Sequence, residues 1–289
     1  MTAEATTAGE TGFFFNTAGL TAGGGRARDG ATVRLYGILH EPSGPPSGRT
    51  FVFVHPLTEE KLWTHRVFVS FARQLAARGH AVLRFDARGN GDSDGEFSEA
   101  SVETLCTDVM AAIDEVRRRT SSARVTLLGL RAGATVASLV AERLPGVVER
   151  LVLWAPVVDG GRYMQDLLRM NLTAQMAAYK EIRYDREALV EQMRAGQSVN
   201  VEGYEMTLPM HEEFSAIKLG AEAKQFAGPC LVVQVERKAR PDADLQKLVE
   251  AYGGRATYVS AEEEPFWKEI ARFYEQAPNL FARTLEWLA

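Results

Sequence analysis

Only two of the 289 residues are cysteine, Cys106 and Cys230, and only five are histidine. Cys106 falls in a helical pattern and Cys230 opens an apolar strand run. Both read as reduced, packed side chains of a reducing compartment, not as a disulfide framework. No Cys/His cluster has metal-ligand spacing, so no metal site and no cofactor are expected. No apolar run approaches the roughly 18 residues that a membrane span requires. Residues 1–12 are small and polar, without a basic stretch leading into an apolar one, so no secretory signal is read. The net charge of −5 excludes a general nucleic-acid binder. The cytoplasm is the expected location, and peripheral association with a membrane complex stays open.

What is present is an ordinary globular composition, 46% apolar and 25% charged, enough for a large buried core. A chain of this length often forms one α/β body, and residues 1–289 are expected to form a single domain. Residues 1–12 read as a flexible tail, with a first short strand beginning at Phe13. The glycine-rich stretch 21–30 reads as a loop. Residues 32–40 alternate apolar and polar as a half-buried strand does.

From Phe51 the pattern becomes strand then helix, repeated. Continuous apolar runs at 51–54, 81–85, 125–128 and 151–154 predict strands covered on both faces. Helices are predicted over 67–78, 102–118 and 132–144. Residues 160–222 carry six methionines, helical patches and no good strand. They read as a helical lid over the C-terminal edge of the sheet. The rhythm then resumes with strands at 231–235 and 256–259, a helix at 243–252, and one or two helices over 266–288. Such alternation predicts a mostly parallel central sheet with helices on both faces.

Three segments carry chemistry. Asp86-Ala87-Arg88-Gly89-Asn90-Gly91-Asp92-Ser93-Asp94-Gly95 follows a strand, and its glycines permit tight turns. It resembles the loop after the fourth strand of many α/β-hydrolases, where its role is structural, so Ser93 reads as a loop residue. Gly129-Leu130-Arg131-Ala132-Gly133 ends a strand and opens a helix. That is the setting of a nucleophile elbow, G-x-S-x-G, with small residues flanking a sharp bend. Its central residue is Arg131, which has no nucleophilic oxygen and does not deprotonate near neutral pH. The third segment, His55 to Arg66, occupies the place of an oxyanion-hole loop. Glu59 and Glu60 within it would oppose a developing oxyanion, but they are well placed to meet a buried guanidinium.

The partners of a serine triad are missing from their usual places. Lys238 stands where the acid is expected after the strand 231–235, with Asp159 as another possible acid. No histidine follows His211, and the expected histidine loop holds Trp267.

Taken together these segments resemble the exosortase A system-associated hydrolases of the second type, a group within the serine aminopeptidase-like branch of α/β-hydrolases. The resemblance rests on Pro56-Leu57-Thr58-Glu59-Glu60 with Arg66, on 89–95 and 129–133, on Gly203-Tyr204 and on Pro265-Phe266-Trp267. It implies an α/β-hydrolase fold with a lid, arginine at the elbow, and a context of extracellular polysaccharide and protein sorting.

Arg131 then has two readings: a salt-bridged plug paired with Glu59 or Glu60, or a recognition group for an anion near a helix N-terminus. Glu60, His55 or His211 could activate a water if a reaction occurs. Leu57, Glu59, Leu130, Ala132, Asp159, His211, Lys238 and Trp267 are the candidate pocket residues. The expected partner is a small acyl or anionic molecule. The two functional classes are an enzyme of acyl or ester hydrolase lineage working without serine, and a non-catalytic binding or scaffold protein.

Overall fold

The computed structural model describes residues 5–7, 9–18, 32–43, 45, 47–238, 240–268 and 273–289. The expected loop at 21–30 lies outside them. Among the described residues the main sheet has nine strands. Five elements carry the elbow and its surroundings: β4 (Thr50–Val54), β5 (Ala81–Phe85), β6 (Val125–Leu130), β7 (Val148–Trp154) and β10 (Cys230–Glu236). With β11 (Ala256–Glu262) they form the parallel part, in the order β5, β4, β6, β7, β10, β11. β1 (Ala5–Thr7), β2 (Glu10–Ala18) and β3 (Thr32–His40) extend the β5 side as antiparallel strands.

The period of two along each strand assigns its side chains to two separate cores. Phe51 and Phe53 of β4 pack on α1 (Thr58–Ala76) through Phe68 and Phe71, and on α8 (Pro278–Leu288) through Phe281. Val52 and Val54 face the other way, onto Leu105, Val109 and Ile113 of α2 (Val102–Thr120) and onto Val136 and Val140 of α3 (Ala132–Arg143). Burial on both faces explains why these strands read as unbroken apolar runs.

The structure corrects several expectations. Residues 5–7 and 10–12, read as part of a flexible tail, lie in β1 and β2. Glu10 to Ala18 pair residue for residue with β3, from Glu10 opposite His40 to Ala18 opposite Thr32. Backbone pairing at a sheet edge needs no apolar alternation, which is why the polar segment gave no signal. α1 begins at Thr58, not Val67. Its first turns are polar, with Glu59 and Glu60 at the positive end of the helix dipole. Among the described residues the final helix is Pro278–Leu288, with proline in its first turn, while Phe266 and Trp267 sit in a turn.

Residues 160–222 form α4 (Gly160–Tyr179), α5 (Arg186–Arg194) and α6 (Leu208–Ser215), together with a hairpin of β8 (Val199–Val201) and β9 (Tyr204–Met206). The hairpin was not expected. Glu202 and Gly203, both at positive φ, make its two-residue turn. α7 (Ala243–Ala251) lies between β10 and β11.

The loop after β5 behaves as the sequence predicted. Ser93 accepts a hydrogen bond from the Tyr36 backbone N–H and donates to the Asp86 carbonyl at 2.6 Å. Both capacities of its hydroxyl are thus used in holding the loop. A Cβ on Gly91, at φ +55°, would sit 2.0 Å from the Asp86 carboxylate, so the turn closes only around glycine.

One buried group near the antiparallel edge sets a pH response. His40 accepts from Arg84 Nε at 2.9 Å through Nε2, and its Nδ1 lies 3.3 Å from Glu10 Oε1. Burial, followed by the Arg84 charge, pushes the His40 imidazole down to about 4. The unfolded chain takes up this proton near 6.5 and the folded chain does not. Stability is therefore intact above pH 6.5 and falls between 6.5 and 4, by up to about 3 kcal/mol. His40→Gln keeps the acceptor for Arg84 and should lessen the dependence of the urea midpoint on pH across that window, leaving the share of His55, whose imidazole burial also lowers. An unchanged slope in the variant would rule His40 out as its source.

Candidate functional site

β6 passes into α3 through a corner at Arg131, whose backbone adopts φ 55° and ψ −126°. A non-glycine residue there is strained, and the surrounding contacts hold it. The Arg131 N–H donates to the Trp154 carbonyl at 3.0 Å, and its carbonyl accepts from Ala134 and Thr135 at 3.0 and 3.2 Å. A Cβ on Gly133 would lie 2.3 Å from the Val54 carbonyl oxygen and 2.4 Å from that of His55, so α3 approaches β4 only because this position is glycine. The strand-to-helix corner is tight, and arginine occupies its centre.

The Arg131 guanidinium turns toward α1. Its Nε donates to Glu60 Oε1 at 3.0 Å, and the other oxygen of Glu60 accepts from the Tyr163 hydroxyl at 3.3 Å. Arg131 also lies over the rings of Trp267, at 5.2 Å, and Tyr163, at 5.6 Å. The ion pair is mostly enclosed, its side chains 23% and 15% exposed. Burial draws the Glu60 carboxyl above its usual range, and the Arg131 charge with the two hydrogen bonds draws it back. Burial likewise opposes the Arg131 charge, but Glu60 outweighs it and the guanidinium is held above its ordinary value. Burial raises the Tyr163 phenol well above its usual range, and the neighbouring Glu60 charge adds to the effect. Tyr163 therefore stays a neutral donor.

Beside this cluster a cavity of about 220 Å³ opens between the C-terminal ends of the strands and α4. Arg131, Asp159, Tyr163, Gln234 and Trp267 line it, and no histidine is among its lining residues. Asp159 caps α4 and is held by Lys218 at 2.5 Å. Leu130 and Ala132 are fully buried supports of the corner and do not reach the cavity.

The remaining sequence candidates lie elsewhere. His55 stacks on Phe68 at 4.4 Å and, with Leu57, lines a separate small void behind the elbow. Burial, then the charges of Lys61 and Arg84, push the His55 imidazole well below its usual range. His211 lines an outer depression of the lid with Arg186 and Arg194. Lys238 is exposed in the turn after β10, and Glu59 is half-buried at the start of α1. None of these five side chains lines the Arg131 cavity. For all but His211, the spacing argument treated residues 55–66 and 236–239 as loops folding inward, whereas 58–66 are helix and Lys238 is exposed; His211 lies in α6 of the lid.

Two residues that the sequence reading passed over belong to the site. Tyr163 sits one turn into α4, a position that carries no motif. Gln234 gave a signal: it is the one polar residue in the apolar run Leu231–Val235.

The chain matches the family model described as serine aminopeptidase, S33, over residues 46–216. A curated relative, an uncharacterised protein of Rickettsia prowazekii (strain Madrid E), is 32% identical over 131 residues, 45% of this chain and 54% of that protein. The chain thus spans about half the length of that relative. Among solved structures, it is similar to Est1E from Butyrivibrio proteoclasticus bound to ferulic acid, with a TM-score of 0.66 and 16% identity, covering 91% of this chain and 96% of that one. The enol-lactonase from Burkholderia xenovorans LB400 is similar at a TM-score of 0.59 and 20% identity, over 89% of this chain and 96% of that one. At these identities the likeness is one of fold. The chain belongs to the serine aminopeptidase S33 family, and its fold is that of the α/β-hydrolases.

Proposed function

We propose that this chain is a non-hydrolytic member of its family, which binds a small acyl or anionic ligand in the cavity beside Arg131. The observation that carries this reading is the Arg131–Glu60 ion pair at the elbow. A permanent cation stands where the fold ordinarily presents an attacking hydroxyl, and acyl-serine chemistry needs an oxygen there. The lining of the cavity supports the same reading, since no histidine is present to move a proton. Water activation by Glu60 is disfavoured, because both of its oxygens are already engaged and it does not line the cavity.

A second reading, as a scaffold in an extracellular polysaccharide or protein-sorting system, draws on the exosortase-type resemblance. One observation favours it. Met176, Tyr179, Ile182 and Tyr184 are about half exposed at the outer end of α4 and in the loop beyond, the kind of apolar surface that marks interaction sites. Among the described residues no helix is long and apolar enough to cross a membrane.

A fluorophosphonate probe and a p-nitrophenyl ester test the proposal directly. The protein should neither be labelled nor turn over the ester. Arg131→Ser should stay at background, since a serine hydroxyl without a base beside it is a poor nucleophile. Stoichiometric labelling of the unmodified chain, or strong esterase activity in Arg131→Ser, would overturn the reading.

A further inference from the structure

Two residues that line the same cavity carry buried donors without acceptors. Gln234 is 3% exposed and Trp267 is 6% exposed; Gln234 Nε2 and Trp267 Nε1 have no hydrogen-bond partner. The Tyr258 hydroxyl donates to Gln234 Oε1, which fixes the amide so that its NH2 is the unpaired end. Arg131, which also lines the cavity, adds a third donor group. Its hydrogen bond to Glu60 runs through Nε. Orphaned buried donors are rare because they cost free energy in the empty protein. Three converging on one cavity describe a place for an acceptor oxygen.

The charge of that oxygen follows from the surroundings. Glu60 already neutralises Arg131. At the rim, Asp159 is paired with Lys218, Asp166 with Arg169 and Asp244 with Arg162. Glu236 and Asp242 also line the cavity, and among the described residues neither has an ion-pair partner. The unopposed charge is therefore negative, which repels an anion and leaves a neutral acceptor.

We infer that the cavity takes a neutral carbonyl, of an amide or an ester, whose oxygen is received by Gln234 Nε2 and Trp267 Nε1 beside Arg131. Tyr258 acts as a positioning residue that sets which end of the Gln234 amide is left to donate. Both donors are sealed from solvent in the empty protein, so a guest reaches them only with a small shift of the two side chains, Gln234 keeping its bond to Tyr258. The inference rests on the acyl-ligand reading above and narrows it, setting aside the anionic alternative.

Butyramide and butyrate test it, being matched in shape and differing in charge. In a ¹⁵N-labelled sample, the Trp267 indole N–H is identified by its loss in Trp267→Phe. Butyramide should shift this resonance and the Gln234 side-chain NH2 pair saturably, and butyrate should leave both in place. Gln234→Leu should weaken butyramide about tenfold, the loss of one good hydrogen bond, with the backbone spectrum otherwise kept. Should that variant fail to fold, the same weakening is expected in Trp267→Phe, read on the Gln234 NH2 pair; it keeps an aromatic ring but lacks the N–H. Equal or tighter saturation by butyrate overturns the choice of a neutral ligand but leaves the acyl-binding reading standing. No shift with either compound up to its solubility overturns the inference, and the fluorophosphonate result still decides separately whether serine chemistry is closed.

Discussion

Asp108→Ala is expected to lower folding stability by roughly 3–5 kcal/mol, the usual cost of breaking a fully buried ion pair. Asp108 on α2 and Arg88 in the loop after β5 are both 0% exposed. One carboxylate receives the Arg88 backbone N–H at 3.1 Å, its Nε at 3.1 Å and its Nη2 at 2.7 Å. Alanine removes the counter-charge and every one of these acceptors while the guanidinium stays enclosed. Domains are stable by only about 5–15 kcal/mol, so the variant should unfold at a markedly lower urea midpoint. Replacing both residues with apolar ones, Arg88→Met with Asp108→Leu, should recover much of the loss, because desolvating two charges consumes most of what the pair gains. A single variant within about 1 kcal/mol of the parent, again judged against the buried-pair cost, would mean that the loop is held by other contacts.

The same loop indicates what a sequence can disclose. Its glycines and its serine were legible because their roles are local: Gly91 meets Asp86 five positions away, and Ser93 bonds Asp86 seven away. The strands were legible for a related reason, since burial on both faces leaves a continuous apolar signature in one short window. The elbow was legible through the small residues that its sharp bend requires. The site itself is assembled from distant segments. Glu60 reaches Arg131 across 71 positions and Tyr163 across 103. Of the two acidic neighbours at the start of α1, Glu60 and not Glu59 faces the elbow, because successive helix positions point about 100° apart. With α1 read as a loop up to Val67, that rotation could not be applied. Tyr163 was hidden because an aromatic residue in a lid helix reads as packing. Gln234 broke an apolar run, and such a break marks a polar side chain that the core cannot absorb without a purpose.

Glu60→Leu is expected to cost about 2–3 kcal/mol, less than at Asp108 because Arg131 keeps partial contact with water. The substitution strands the guanidinium and removes the acceptor of the Tyr163 hydroxyl together. Adding Arg131→Met should restore most of the stability, since methionine can fill the same space beside Trp267 and Tyr163 without a charge. Urea midpoints of the parent, the two single variants and the double variant give the coupling between the residues. A coupling near zero would show that the pair contributes nothing to the corner. The double variant also separates the two roles open to Arg131. If it folds and still binds butyramide as the parent does, arginine is a plug that fills the strand-to-helix corner. If it folds and binding is lost while the Gln234 and Trp267 donors are intact, the guanidinium touches the ligand and is part of the recognition surface.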